Sequence, residues 1–351
     1  MPMVTIIFFL SSGLFLGWSL GANDAANVFG TAVSSKMIKF TTAAWICSVF
    51  VIIGSVLGGA GGSHTLGKLG EVNTLAGSFT VAFSAAWSVF FMTKAKIPVS
   101  TSQAIVGAII GWNFFSGTHT NPQVLMKIAG TWIICPFLSM LFSIILFICV
   151  KFILQKTKMH LFRLDLYTRR ALIITGAFGA YSLGANNIAN VMGVFIASSP
   201  FKNITHNGHV IFSNTQILFL IGSLAISAGV FTYSKKVMTT VGKDIFKLSP
   251  ITALIVVLSS SMVLFIFASS DLQQILISLN LPPIPLVPVS SSQAVIGAVI
   301  GIGIIKKARN VNYQILGRIS IGWVATPIIA AILSFVMLFF VQNVFMNKVF
   351  L

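Results

Sequence analysis

Ser19-Leu-Gly-Ala-Asn-Asp-Ala-Ala-Asn-Val28 returns later in the chain as Ser182-Leu-Gly-Ala-Asn-Asn-Ile-Ala-Asn-Val191, identical at eight of ten positions. A second pair repeats in the same order. Pro98-Val-Ser-Thr-Ser-Gln-Ala-Ile-Val-Gly-Ala-Ile-Ile-Gly111 matches Pro288-Val-Ser-Ser-Ser-Gln-Ala-Val-Ile-Gly-Ala-Val-Ile-Gly301 at ten of fourteen positions. Lys127, Trp132 and Pro136 align with Arg318, Trp323 and Pro327 at one constant offset. The chain is therefore an internal duplication, with one copy over 1–150, a basic linker over 151–170 and the other copy over 171–351.

The medium for this duplication follows from composition. Of 351 residues, 56% are hydrophobic and 8% charged, with 22 Lys plus Arg against 5 Asp plus Glu and a net charge of +17. An ordinary soluble domain carries about 25% charged residues, and a chain of this length has too much surface for so few charges. The mean hydropathy of +0.97 agrees. Apolar runs of membrane-spanning length occur at Val4–Ser35, Ala43–Gly59, Thr74–Met92, Val99–Phe115 and Ile128–Val150, then at Ala171–Ala197, Thr215–Tyr233, Pro250–Ala268, Val289–Ile305 and Leu316–Phe340. The expected fold is an all-α polytopic membrane protein of about 10–12 membrane segments. The first run of each half is the weak point: Val4–Ser35 is too long for one straight span and too interrupted for a simple one. It could hold a full helix, a broken half-helix or a re-entrant hairpin, so broken or re-entrant helices are part of the expected fold. The N-terminus lacks the positive region of a cleaved signal peptide and reads as a retained first helix.

Basic residues then act as topology signals rather than as a nucleic-acid surface, for which no motif is present. Lys151–Arg170 holds six cations against Asp165 and is expected in the cytoplasm, as are Lys36 and Lys39, Lys94 and Lys96, Lys235 through Lys247, and Lys306 through Arg309. Five crossings per half place both termini outside. Charge also orients the copies. Lys94 and Lys96 precede the first Pro-Val-Ser block, whereas neutral Asn280–Leu286 precedes the second; after the blocks the pattern reverses, with neutral Ser116–Thr120 in one copy and Lys306–Arg309 in the other. The same segment crosses in opposite directions. Inverted-topology repeats characterise many secondary transporters, whose sites lie near the bilayer midplane between the copies.

Among the acids, Asp24 alone has apolar sequence close on both sides, since Glu71, Asp165, Asp244 and Asp271 fall in loops or at span ends. A carboxylate at membrane depth is costly unless it pairs, protonates or binds a cation. Its counterpart is Asn187, which keeps the carbonyl oxygen and loses the charge. Asp24 with Asn23, Asn27, Thr31, Asn186 and Asn187 forms a candidate hard-cation site suited to Na⁺. Asn23, Asn27, Asn186 and Asn190 join Ser100, Thr101, Ser102 and Gln103, and Ser290, Ser291, Ser292 and Gln293, as candidate anion ligands. A proline at a helix start costs little. The hydroxyls after it either cap free amides or donate to an oxyanion. Neutral donors suit an anion that must also leave. Gly107, Gly111, Gly297 and Gly301 recur four apart and read as close helix packing. Cys47, Cys135 and Cys149 form no close pair, and His64, His119, His160, His206 and His209 share no symmetry, so neither a zinc site nor a proton relay is indicated. No nucleophile–base pair points to an enzyme.

With GANDAANVFGTAVSSK in the first half, GANNIANV in the second and the paired PVS-[ST]-SQA blocks, the sequence resembles the inorganic phosphate transporter family of secondary carriers. The resemblance covers roughly residues 15–115 and 180–305. It implies inverted repeats, inorganic phosphate as substrate, Na⁺ or H⁺ as coupling ion, no other cofactor, residence in the cell membrane and a homodimer. It also places the Asn and Asp residues centrally, facing the two serine blocks. Some relatives move sulfate, so a sulfate or related oxyanion permease is the alternative, with an anion channel as the other. The family usually has Asp in both motifs. Asn187 departs from that pattern and puts one cation site in question.

Overall fold

The computed structural model describes residues 2–94, 99–157, 159–206, 209–240, 248–306 and 313–351. Lys96, Pro98, Lys158, Asp244, Lys307 and Arg309, which entered the topology and motif assignments, lie outside the described residues. All ten apolar runs are helical. The first half contains α1 (Met3–Ser34), α2 (Phe40–Gly58), α3 (Ala60–Leu69), α4 (Leu75–Lys94), α5 (Thr101–Ser116) and α6 (Pro122–Thr157). The second contains α7 (Leu161–Met192), a 3₁₀ turn at Gly193–Phe195, a small hairpin of β1 (Ile204–His206) and β2 (His209–Phe212), α8 (Asn214–Thr232), α9 (Ser234–Thr240), α10 (Pro250–Ala268), α11 (Ser270–Ser278), α12 (Ser291–Ile305) and α13 (Tyr313–Asn343). Among the described residues, seven helices are long and apolar enough to cross a bilayer. The Asn-rich end of α7 lowers its hydropathy, while α5 and α12 are short. At 16 and 15 residues and 1.5 Å per residue, α5 and α12 reach about 24 Å, less than the ~30 Å hydrocarbon thickness. The extended residues before each helix make up the difference, so these are the interrupted crossings.

The interruptions were expected at the Gly-Ala-Asn motifs, and the structure corrects that position. Helices α1 and α7 each run unbroken for 32 residues through their motifs. The small residues there serve close approach instead of a bend. A Cβ at Gly21 would overlap the Ile226 carbonyl oxygen, and one at Gly184 would overlap that of Val51.

Packing is reciprocal between the copies. Helix α2 lies on α7 and α8 on α1, while α5 lies on α13 and α12 on α6. The contact points are themselves repeat mates. Gly107 sits on the Pro327 carbonyl and Gly297 on the Pro136 carbonyl; Gly111 meets Ala331 and Gly301 meets Met140. Both prolines lie inside long helices, α6 and α13. Such exchange of equivalent surfaces is what two copies related by a pseudo-two-fold axis produce. Burial sorts the helices by depth: 67% of the apolar window is buried in α4 and in α10, against 17% in α6 and 22% at Ile321–Asn343 of α13. The first pair lies mostly inside the protein. The second presents its apolar side chains to lipid.

Because backbone carbonyls occupy the space beside Gly107 and Gly297, Gly107→Val and Gly297→Val should each lower stability by about 1–3 kcal/mol through overpacking. Gly303→Val, where a Cβ meets nothing within 4 Å, should leave it unchanged. Thermal unfolding of the detergent-purified protein checks both.

Candidate functional site

The serine blocks begin α5 and α12, and their first turns meet. Ser100 caps α5 by accepting the Gln103 N–H at 3.3 Å, and Ser290 caps α12 by accepting that of Gln293 at the same distance. Each block also reaches across to the other. The Ser102 hydroxyl donates to the Val289 carbonyl at 3.1 Å, and the Ser292 hydroxyl donates to the Val99 carbonyl at 3.3 Å. Two helix N-termini are thereby joined head to head. A helix start leaves up to four amides without intrahelical partners and carries roughly half a positive charge, so this junction favours an anion. Cys135 of α6 adds a thiol contact to the Ser290 carbonyl at 3.7 Å.

Helices α1 and α7 bring the Asn and Asp residues to this junction. The Asp24 carboxylate accepts the Ser291 hydroxyl at 2.7 Å, and Asn27 Nδ2 lies 3.5 Å from the same oxygen. From α7, Asn190 Nδ2 bridges Ser102 Oγ at 2.8 Å and Asn187 Oδ1 at 3.0 Å. That network also fixes the amide orientations. Since Ser102 spends its hydrogen on Val289, its oxygen accepts, so Asn190 presents its NH₂ group and Asn187 presents its oxygen. Asn186 holds the Val289 peptide by both groups, donating to its carbonyl at 2.7 Å and accepting its N–H at 3.0 Å.

Several polar atoms in this buried cluster have no partner among the described residues: Gln103 Oε1, Gln293 Oε1, Asn190 Oδ1 and Asn187 Nδ2. Orphaned polar atoms in a dry interior each cost about 1–3 kcal/mol, and a ligand that met them would recover that cost. The oxygens suit a cation or a donating hydroxyl; the amide suits an anion. Of the residues singled out from sequence, Asn27, Asp24, Asn186, Asn187, Asn190, Ser102, Gln103, Ser291, Ser292 and Gln293 are gathered here, with Thr101 beside them on the first turn of α5. Ser100 and Ser290 serve as caps. Thr31 lies seven residues beyond Asp24 on α1, about 10 Å along the axis. Asn23 Nδ2 donates to Ser19 O of its own helix at 3.0 Å. The peptide groups of Val99 and Val289 were missed as functional groups, although the doubled Pro-Val step was visible.

The chain as a whole resembles known proteins. The model of the phosphate transporter family matches residues 20–167, 162–334 and 277–349. A Methanocaldococcus jannaschii protein named "Putative phosphate permease" is 28% identical over 334 residues, covering 95% of this chain and 97% of its own. From Bacillus subtilis, a "Sulfate permease" is 27% identical over 343 residues, covering 96% and 87%, and a "Probable low-affinity inorganic phosphate transporter" is 25% identical over 351 residues, covering 98% and 99%. A solved structure described as "The sodium-dependent phosphate transporter" aligns with a TM-score of 0.76 over 97% of this chain and 99% of that one at 24% identity, a likeness of fold.

Removing the Ser102 hydroxyl strips one bond from the Val289 carbonyl and one from Asn190. Ser102→Ala should therefore cost about 1–3 kcal/mol, whereas Ser102→Thr should restore most of it. Thermal unfolding of the two purified variants reads the difference.

Proposed function

The chain belongs to the phosphate transporter family, and we propose that it carries inorganic phosphate across the cell membrane together with Na⁺ or H⁺, by alternating access. The observation that carries this reading is the head-to-head junction of α5 and α12 beside a single carboxylate. The two helix N-termini and the serine hydroxyls attract the oxyanion. Asp24 holds the coupling ion, either as a Na⁺ ligand or as the carrier of a proton. A cation bound there offsets the anion's charge and lowers the cost of holding both away from water. Rearrangement of one repeat against the other exposes this centre first to one side and then to the other.

The gathered ligands include no Lys or Arg. Binding by neutral donors and helix ends is reversible enough for release, which a fixed cation would slow. Phosphate is favoured over sulfate by the orphaned acceptors Asn190 Oδ1, Gln103 Oε1 and Gln293 Oε1. Phosphate near neutral pH carries a hydroxyl that donates to such an oxygen, whereas sulfate only accepts. The phosphate permease and phosphate transporter names among the relatives support the same choice. The sulfate permease relative supports the competing reading. Competition of labelled phosphate uptake by sulfate, arsenate and molybdate separates the two.

Phosphate uptake into proteoliposomes, with Na⁺ and pH gradients imposed separately, is the direct experiment. Accumulation driven by one gradient is expected, and flux without uphill accumulation would instead mark a channel. Asp24→Asn should abolish ion-coupled uptake; full uptake with unaltered ion dependence would overturn the assignment of Asp24. Conversely, Asn187→Asp adds a second carboxylate at the repeat-related position, and the dependence of uptake on the coupling cation should become steeper.

A further inference from the structure

The two halves of the centre share a sequence but are fastened differently. Asn186 clamps the Val289 peptide through two hydrogen bonds, at 2.7 and 3.0 Å. The repeat pairs Asn186 with Asn23 and Val289 with Val99, so the matching clamp would join Asn23 to the Val99 peptide. That clamp is open. Asn23 Nδ2 instead turns back to Ser19 O on its own helix, and no hydrogen bond joins Asn23 to Val99 among the described residues. Burial follows the fastening. Asn186 and Val289 are 1% and 0% exposed, whereas Asn23, Asp24, Asn27 and Val99 are only half-buried.

A cover lies over the fastened half. Helix α3 packs along α7 and the turn after it. Its Gly62 faces Ala189 and Pro288, and the Thr65 hydroxyl donates to the Leu286 carbonyl at 2.5 Å. Leu286 and Pro288 belong to the extended segment leading to Val289, which the charge pattern brings from the outer side. Val99 comes after Lys94 and Lys96 in the sequence, on the side that the basic residues mark as cytoplasmic. The fastened half is thus the outer one and the open half the inner one.

We infer that Asn186 and Asn23 are positioning residues that act as exchanging latches. In the conformation seen here, Asn186 holds Val289 and closes the outer path while Asn23 is released. In the opposite conformation, Asn23 takes both groups of the Val99 peptide and Asn186 lets Val289 go. Each latch offers a peptide group the same two hydrogen bonds, so the exchange conserves their number and leaves the two conformations close in energy. A carrier needs this balance, because a strongly preferred conformation would be slow to leave. The inference rests on the alternating-access reading and assigns to Asn186 a role in gating rather than in contacting the transported ion.

Two reporter thiols test it in a Cys149→Ser background, since Cys149 is exposed and Cys47 and Cys135 are buried. Ala189→Cys lies beneath α3, fully buried in this conformation. Thr31→Cys lies at the half-exposed inner end of α1. Adding Asn186→Ala should speed maleimide labelling at position 189 by about tenfold, the shift expected on losing two ordinary hydrogen bonds from one conformation, and should slow labelling at position 31. Adding Asn23→Ala as well should return both rates toward the parent, because both conformations then lack their latch. A general loosening of the fold would speed both thiols, and the second substitution would not reverse it. Unchanged labelling at position 189, acceleration at both positions, or no reversal in the double variant would overturn the inference. Phosphate uptake by the parent, measured in parallel, separates the two readings: absent uptake with the reciprocal labelling intact would refute the substrate and leave the latches standing.

Discussion

Two helices that begin inside a bilayer pose a problem that the rest of this molecule is arranged around. Helix starts leave amides without partners, and hydrocarbon supplies no water to satisfy them. Here α5 and α12 meet start to start, and each lends the other a serine hydroxyl: Ser102 to the Val289 carbonyl and Ser292 to the Val99 carbonyl. The remaining positive character has to be met by something. Asp24, accepting from Ser291, supplies one negative group; a transported anion is suited to supply the other. The junction stays in place because Gly107 and Gly297 let the long helices α13 and α6 press their carbonyls against the short ones. A side chain at either glycine would push the helix aside and move its first turn away from the centre.

The symmetry of the scaffold and the asymmetry of its chemistry serve different ends. Reciprocal packing of α2 on α7 and α8 on α1 makes equivalent contacts twice, once from each copy. A single carboxylate breaks the equivalence. On the α1 side the centre carries a charge, and on the α7 side the matching position is Asn187, whose oxygen is taken by Asn190 and whose amide is left as a donor. On the proposed reading, one half is suited to a cation and the other to an anion. Fastening adds a second asymmetry: Asn186 clamps Val289, whereas Val99 is held by Ser292 and not by Asn23 among the described residues, a difference of conformation rather than composition.

Much of the fold was legible because its causes are local. Hydropathy over windows of spanning length located the long apolar helices, since this effect depends on side-chain type alone. The repeat singled out the candidate residues, because Asn, Asp and Ser in apolar runs are too costly to recur by chance at matching positions, and the structure gathers most of them at one junction. The location of the interruption was misread. Gly21 and Gly184 resemble helix breakers in a sequence, yet each lies in a continuous helix where its missing side chain admits a neighbouring backbone. Short α3, short α11 and the hairpin over 204–212 gave no apolar run of spanning length and so left no comparable signal.

What the sequence by itself determined is the medium and the duplication, which follow from residue type and order; the opposed orientation of the copies and the polar residues of the candidate site enter from it as expectations. Only the tertiary structure decided which of those residues meet. Asn23 and Asn186 occupy identical positions in their motifs, yet one bonds to its own helix and the other clamps Val289. The physical reason is that a hydrogen bond depends on where two distant segments lie, and a duplicated sequence permits two placements of equal chemistry. The chain order is silent on which motif reaches across; packing places Asn186 on Val289 and turns Asn23 to its own helix.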